Sequence, residues 1–130
     1  MDLFRSASTR CFECHAAPTF GNDNFFVTGV PDLDGQPHDA GRAAVSTDGN
    51  DGAFKAPTLR NVALSAPYMH NGSIQSLAEV IEHYNAGGLP HKNKSNLIKP
   101  LQLSSTEKSD LLAFLISLND YGFINDERWK

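Results

Sequence analysis

At 130 residues the chain is long enough for one compact domain and too short for two ordinary ones. Hydrophobic residues make up 40% of it, and ten Gly with seven Pro point to much irregular backbone. A net charge of −4 argues against nucleic-acid binding, and no apolar run approaches the length needed to span a membrane.

The first expected element is a helix from Met1 to Cys14. Leu3, Phe4 and Ala7 give it an i, i+1, i+4 apolar patch, and it starts abruptly at Met1-Asp2 with no capping residue. It runs into Cys11-Phe12-Glu13-Cys14-His15. Two cysteines three apart, with a histidine directly after, form the pattern for covalent attachment of c-type haem. On the first turns of a helix, residues i and i+3 share a face, so both thiols reach the two vinyl groups of one porphyrin. His15 then offers its imidazole to the iron as proximal ligand, and Phe12 is expected to pack on the ring. A porphyrin would also stand in for part of the missing apolar core.

Three other readings compete for this motif. A zinc site needs two more ligands, and His38, His70, His83 and His91 include no closely spaced pair to supply them. A redox-active Cys-x-x-Cys sits between a strand and a helix, an alternation the chain lacks. A disulfide across the motif would leave His15 without a role. Haem c accounts for all three residues. Such haems are attached outside the cytoplasm, yet no signal peptide precedes the motif. The chain is therefore expected to be a piece of a longer, exported, periplasmic protein.

From Ala16 to Ala53 periodicity disappears. Gly21, Gly29, Pro31, Gly35, Pro37, Gly41, Gly49 and Gly52 punctuate a stretch crowded with Asp and Asn. A loop this long inside a compact domain is usually functional, and here it would wrap a haem edge. Asp32, Asp34, Asp48 and Asp51 do not fit the spacing of a calcium loop and read as solvated turn residues. In Phe54 to Gly72, Pro57 and Pro67 bracket a short helical turn, and Asn71-Gly72 closes the segment. Lys55 and Arg60 are cations among apolar neighbours. Arg60 suits a haem propionate by shape, or is a solvated surface residue.

Ser76 to Asn85 reads as a helix with Leu77, Val80, Ile81 and Tyr84 on one stripe, stopped by Gly87-Gly88 and Pro90. Lys92 to Pro100 is a polar connector. The last helix begins at Ser104, where Glu107 three residues on makes a capping box. Leu111, Phe114, Leu115 and Leu118 form its stripe, it ends near Asn119, and Tyr121 to Lys130 is a tail. The layout is an all-α, cytochrome c-like domain over residues 1–120, with long irregular loops around the haem.

Taken together, Leu3-Phe4, the Cys-Phe-Glu-Cys-His block, Gly41-Arg42, the run from Phe54 to Val62 through Pro57-Thr58-Leu59-Arg60-Asn61, the run Ala66-Pro67-Tyr68-Met69-His70-Asn71-Gly72, and Leu77 to Val80 resemble the C-terminal half of the bacterial di-haem cytochrome c peroxidase and MauG family. The resemblance runs in order to about Leu118. It implies that this half carries the electron-transfer haem, with His15 as proximal ligand, and that a peroxide-reacting haem sits in an N-terminal half. It implies a distal ligand at Tyr84, a position that is methionine in the peroxidases proper and tyrosine in MauG. Met69 is the generic alternative, since a thioether suits an electron carrier. Family members also carry phenylalanine there. Further implications are a calcium ion held partly by carbonyls at Ser65 and Pro67, His70 hydrogen-bonding near the haem, and Arg60 on a propionate.

Two functions follow as expectations. The first is the electron-transfer module of an enzyme that reduces hydrogen peroxide or oxidises a substrate through high-valent iron, fed by a small donor protein. The second is a stand-alone monohaem carrier. A zinc-stabilised interaction module is the third and most remote.

Overall fold

The computed structural model describes residues 1–36, 38–47 and 49–129. Pro37, Asp48 and Lys130, named above in the loop and the tail, lie outside the described residues.

The N-terminal stretch is not one helix. It forms α1 (Asp2–Arg5) and α2 (Cys11–Cys14) with a turn between them. The cause is local. Ser6 Oγ donates to the Leu3 carbonyl at 2.8 Å, Thr9 Oγ1 donates to the same carbonyl, and the Thr9 amide donates to Ser6 Oγ at 3.3 Å. These hydroxyls take the backbone partner that a continuing helix would need. Arg10 then adopts the left-handed conformation, φ 56°, and α2 restarts at Cys11.

The chain is also not all-α. Helix accounts for only 35% of it, and the long loop forms a small antiparallel ladder. Strand β1 (Phe25–Phe26) pairs with β2 (Phe54–Lys55), Phe25 opposite Lys55 and Phe26 opposite Phe54. Closely spaced Gly, Pro, Asp and Asn deny a helix the run of hydrogen bonds it needs to propagate. Two-residue strands satisfy a few backbone groups while their aromatic side chains build a wall. Single 3-10 turns lie at Arg42–Ala44 and Val62–Leu64, the second between Pro57 and Pro67 where a helical turn is expected.

Helices α3 (Leu77–Ala86) and α4 (Ser105–Ser117) carry the packing. Both begin with a capping box: Ser76 with Glu79, and Ser104 with Glu107 as the sequence predicts. Helix α3 ends at Gly87 in the left-handed conformation. Lys108 pairs with Glu82 across the two helices at 2.7 Å. The connector between them is tied down through Asn85. Its carbonyl accepts from the Leu101 amide at 3.0 Å and its side-chain oxygen from the Leu103 amide at 2.8 Å. Beyond α4 lie α5 (Tyr121–Ile124), capped by Asp120, and a 3-10 turn at Glu127–Trp129. Trp129 is exposed beside Phe123.

The core is small. Phe4, Leu77, Ile81, Leu111, Phe114 and Leu115 form one buried cluster, and no side chain among the described residues falls below 2% exposure. Phe4 and Phe114 pack at 4.8 Å between ring centroids, with Phe20 edge-on to both.

The segment after β1 runs hard against the end of α3. A Cβ on Gly29 would lie 2.4 Å from the Leu89 carbonyl oxygen, and one on Gly88 would lie 2.3 Å from the Thr28 oxygen. The Leu89 amide donates to the Gly29 carbonyl at 2.9 Å and His83 Nε2 meets the Thr28 carbonyl at 3.0 Å. Both glycines have positive φ, so any side chain there is strained and collides with backbone. Gly29→Ala is therefore expected to cost more stability than Ser76→Ala, whose lost cap is worth about 1 kcal/mol. Urea melts of the two variants against wild type check the order.

Candidate functional site

A cavity of about 560 Å³ lies between α2, α3, α4 and the β1–β2 ladder. Most of its wall is apolar, built by the stripes of α3 and α4 together with Phe4, Phe26 and Phe54. The four residues of the α3 stripe, Leu77, Val80, Ile81 and Tyr84, all face it. So do Cys11, Cys14 and His15. Phe12 does not. It is 39% exposed and outside the cavity, because positions 11 and 14 turn one face of α2 inward and position 12 falls on the other.

His15 is held by backbone. Its Nδ1 lies 3.0 Å from the Phe20 carbonyl oxygen and 3.1 Å from that of Pro57. Two acceptors at one nitrogen fix the proton on Nδ1 and leave Nε2 as the free lone pair. Burial pushes the imidazole pKa down, which keeps the ring neutral, although the two carbonyls oppose that shift. A neutral, oriented imidazole with an open Nε2 is what a metal requires of a histidine ligand.

The segments that hold His15 are themselves braced. Arg60 Nε donates to the Pro18 carbonyl at 3.1 Å and Nη2 donates to the same oxygen, with the guanidinium over the Phe20 ring. Thr58 Oγ1 donates to the Thr19 carbonyl, and Asn22 Nδ2 donates to the Cys14 carbonyl at 2.8 Å. Arg60 does not line the cavity.

The two thiols are free, and burial raises both pKa values, that of Cys14 to about 11. A redox-active pair lowers them. The Tyr84 hydroxyl is pushed up to about 12 by burial, a shift opposed by a hydrogen bond with the Thr28 side chain and reinforced by the nearby cysteines. Met69, with φ 68°, also reaches the cavity, as do Ser65 and Pro67. The Ser65 and Pro67 carbonyls accept no backbone hydrogen bond among the described residues. His70 stacks on Phe54 with ring centroids 3.8 Å apart and an interplanar angle of 9°.

His70 and Phe54 also border a smaller pocket of about 170 Å³ that contains Asp32, His38 and His91. His38 bridges two acids, Nδ1 to Asp32 at 2.8 Å and Nε2 to Asp51 at 2.7 Å, and Lys92 reaches Asp51 at 3.0 Å. These aspartates are thus tied into the loop instead of simply solvated. Among the described residues, no group of three or more His, Cys, Asp and Glu side chains is placed to hold a metal ion. No described helix is long and apolar enough to cross a membrane.

The comparisons agree with this geometry. No family model matches the chain. It is 34% identical to the cytochrome-c peroxidase IdrP1 of Pseudomonas sp. (strain SCT), over 92% of this chain and 38% of that protein. It is 37% identical to the methylamine utilization protein MauG of Methylophilus methylotrophus, over 84% of this chain and 32% of that one. Its homologues are cytochrome c peroxidases and MauG proteins. Among solved structures, a MauG-like protein associated with microbial copper homeostasis superposes with a TM-score of 0.88 at 35% identity, covering 99% of this chain and 48% of that one. The diheme peroxidase BthA of Burkholderia thailandensis E264 shares the fold, with a TM-score of 0.76 at 21% identity. The chain thus spans less than half the length of each of these relatives.

Sequence reading names the thiols, His15 and Tyr84, which the structure brings to one cavity, and misses the Phe20 and Pro57 carbonyls, the Thr28 contact and the His38 bridge. Carbonyls have no residue signature, and the other two join positions far apart in the chain.

The His38 bridge has a pH window. Its two acids raise the His38 pKa from 6.5 to about 9, so its contribution to stability is full below 6.5 and is lost as pH rises through 9. The same contact depresses Asp51 from 3.8 to about 2, a contribution present above 3.8 and lost as pH falls through 2. The difference in Tm between wild type and His38→Gln is therefore expected to be largest between about pH 4 and 6.5 and to vanish above about 9. A difference that is flat across this range contradicts the bridge.

Proposed function

We propose that this chain is the electron-transfer haem part of a di-haem cytochrome c peroxidase or MauG-like oxidoreductase. One haem c would be held by thioether bonds to Cys11 and Cys14, with His15 Nε2 and Tyr84 holding its iron. The observation that carries this is His15, oriented by two carbonyls and open at Nε2, beside two thiols on the wall of an apolar cavity. The cavity lies within the size range of small-ligand and cofactor sites. The similarity to cytochrome c peroxidases and MauG proteins supports the same reading.

When bound, the haem supplies a one-electron ferric/ferrous couple. The chain's own residues set how that couple behaves. His15 donates its Nδ1 proton to the Phe20 and Pro57 carbonyls, which fixes the ring and raises its basicity as a ligand. Tyr84 would give up its hydroxyl proton to hold the iron, a proton otherwise held firmly by burial. As an anionic oxygen it favours the ferric state and lowers the potential, whereas Met69 would raise it. The apolar stripes of α3 and α4 exclude water from the ring faces. With His15 and Tyr84 both holding the iron, this chain would offer peroxide little access to it. Hydrogen peroxide, two electrons and two protons would give two waters at a second haem in an N-terminal domain, with a small donor protein supplying the electrons. His70 would hydrogen-bond near the ring, and the free carbonyls of Ser65 and Pro67 suit a calcium ion shared with that domain. Covalent haem attachment implies export to the periplasm, and the fact that the chain matches under half of its relatives' length favours this reading over a stand-alone carrier.

Absorption and EPR spectra of ferric protein matured with haem test the ligands. Tyr84→Phe is expected to change the ferric spectrum while Met69→Leu leaves it as in wild type. A near-infrared thioether-to-iron band lost only in Met69→Leu overturns the assignment. Added peroxide with a reductant is expected to turn over slowly in the isolated chain, and fast turnover contradicts two-sided ligation.

A further inference from the structure

A haem brings two propionate carboxylates, and a carboxylate at the rim of an apolar cavity needs a cation beside it. The sequence directs that role to Arg60. In the structure Arg60 is off the cavity and its guanidinium is used on the Pro18 carbonyl. Three other cations line the cavity: Arg10, Lys55 and Lys99.

Two of the three already have carboxylate partners. Arg10 pairs with Glu13 at 3.3 Å and Lys55 with Asp23 at 3.0 Å. Lys99 has no side-chain hydrogen bond or ion pair among the described residues. Its backbone, in contrast, is fixed. The Lys99–Pro100 segment packs so closely on the end of α3 that a Cβ on Gly87 would lie 2.7 Å from Pro100 N and 2.9 Å from the Lys99 carbonyl carbon. The Leu101 amide is bonded to the Asn85 carbonyl at 3.0 Å. Leu97 and Ile98, just before it, face the same cavity. The chain thus holds an exposed lysine, with no side-chain partner among the described residues, on a fixed stretch of backbone that lines the cavity.

We propose that Lys99 is the residue that neutralises a haem propionate in this chain. This rests on the haem reading above. Lys99 does not touch the iron. It acts through the propionate, placing positive charge near the ring edge, which stabilises the ferrous state relative to the ferric and fixes how the ring is seated.

The test uses full-length chain matured with haem, comparing wild type, Lys99→Met, Lys99→Arg and Lys55→Met. Covalent haem content is measured first, and a wild-type protein without haem fails the earlier reading, separately from this one. With haem present, Lys99→Met is expected to lower the midpoint potential and shift the propionate-bending band in resonance Raman, while the His15 and Tyr84 ligation signature stays unchanged. Lys99→Arg is expected to restore both readouts. Lys55→Met is expected to shift both less than Lys99→Met does, because Lys55 is paired with Asp23. The proposal is overturned if Lys99→Met matches wild type in potential and Raman band, or if Lys55→Met shifts them in its place. Should Lys99→Met fail to mature, Lys99→Gln and the Arg variant carry the same comparison.

Discussion

The molecule depends on the pair of hydrogen bonds from His15 Nδ1 to the Phe20 and Pro57 carbonyls. They join the end of α2 to two loops, one following it directly and one some forty residues further along the chain. Each loop is braced in turn: Arg60 and Thr58 hold the carbonyls of Pro18 and Thr19, and Asn22 returns to the Cys14 carbonyl. Without that lattice the imidazole would be free to choose its tautomer and tilt. With it, the ring is held in one tautomer, and its Nε2 has no hydrogen-bond partner among the described residues. Much of the irregular backbone around positions 16–24 and 56–60 therefore has a mechanical purpose, although it belongs to no regular element.

The same arrangement explains the thin core. A globular chain of this size normally buries a contiguous set of large side chains, yet here the best-packed residues form a single cluster on one flank, at Phe4, Leu77, Ile81, Leu111, Phe114 and Leu115. The inner stripe of α3 faces a cavity as well as α4. At about 25 cal/mol per Å² of apolar surface removed from water, filling that space with a flat hydrophobic ring would add substantially to a marginal fold. Occupation of the cavity by such a ring would thus be coupled to folding.

How much of this was readable from residues alone varies with the kind of interaction. Helices α3 and α4 follow from apolar spacing and from their stop and start residues, because those signals are local. The thiol–histidine motif is legible for the same reason. The break between α1 and α2 was hidden because Ser6 and Thr9 compete for the Leu3 carbonyl, a contest that periodicity cannot score. The two-residue ladder of β1 and β2 was invisible, since strands that short have no alternation to detect. Arg60 was assigned by chemical aptitude, but its position was set by the turn at Pro18, and a guanidinium suits a carbonyl as readily as a carboxylate.

The glycine seam between residues 28–29 and 88–89 bears on how this scaffold varies. Because backbone meets backbone there, the spacing between the loop wall and the end of α3 is a fixed dimension that no rotamer can adjust. Tyr84 sits one turn before that junction, and Thr28 belongs to it. The backbone that carries Tyr84 is thereby held at a set distance from the segment that carries Thr28, as by the closed stop of a calliper. Exchanging the residue at position 84 would change the group presented to the cavity while the spacing of the seam stays constant. Chemical variety at this position is therefore a matter of side-chain reach alone.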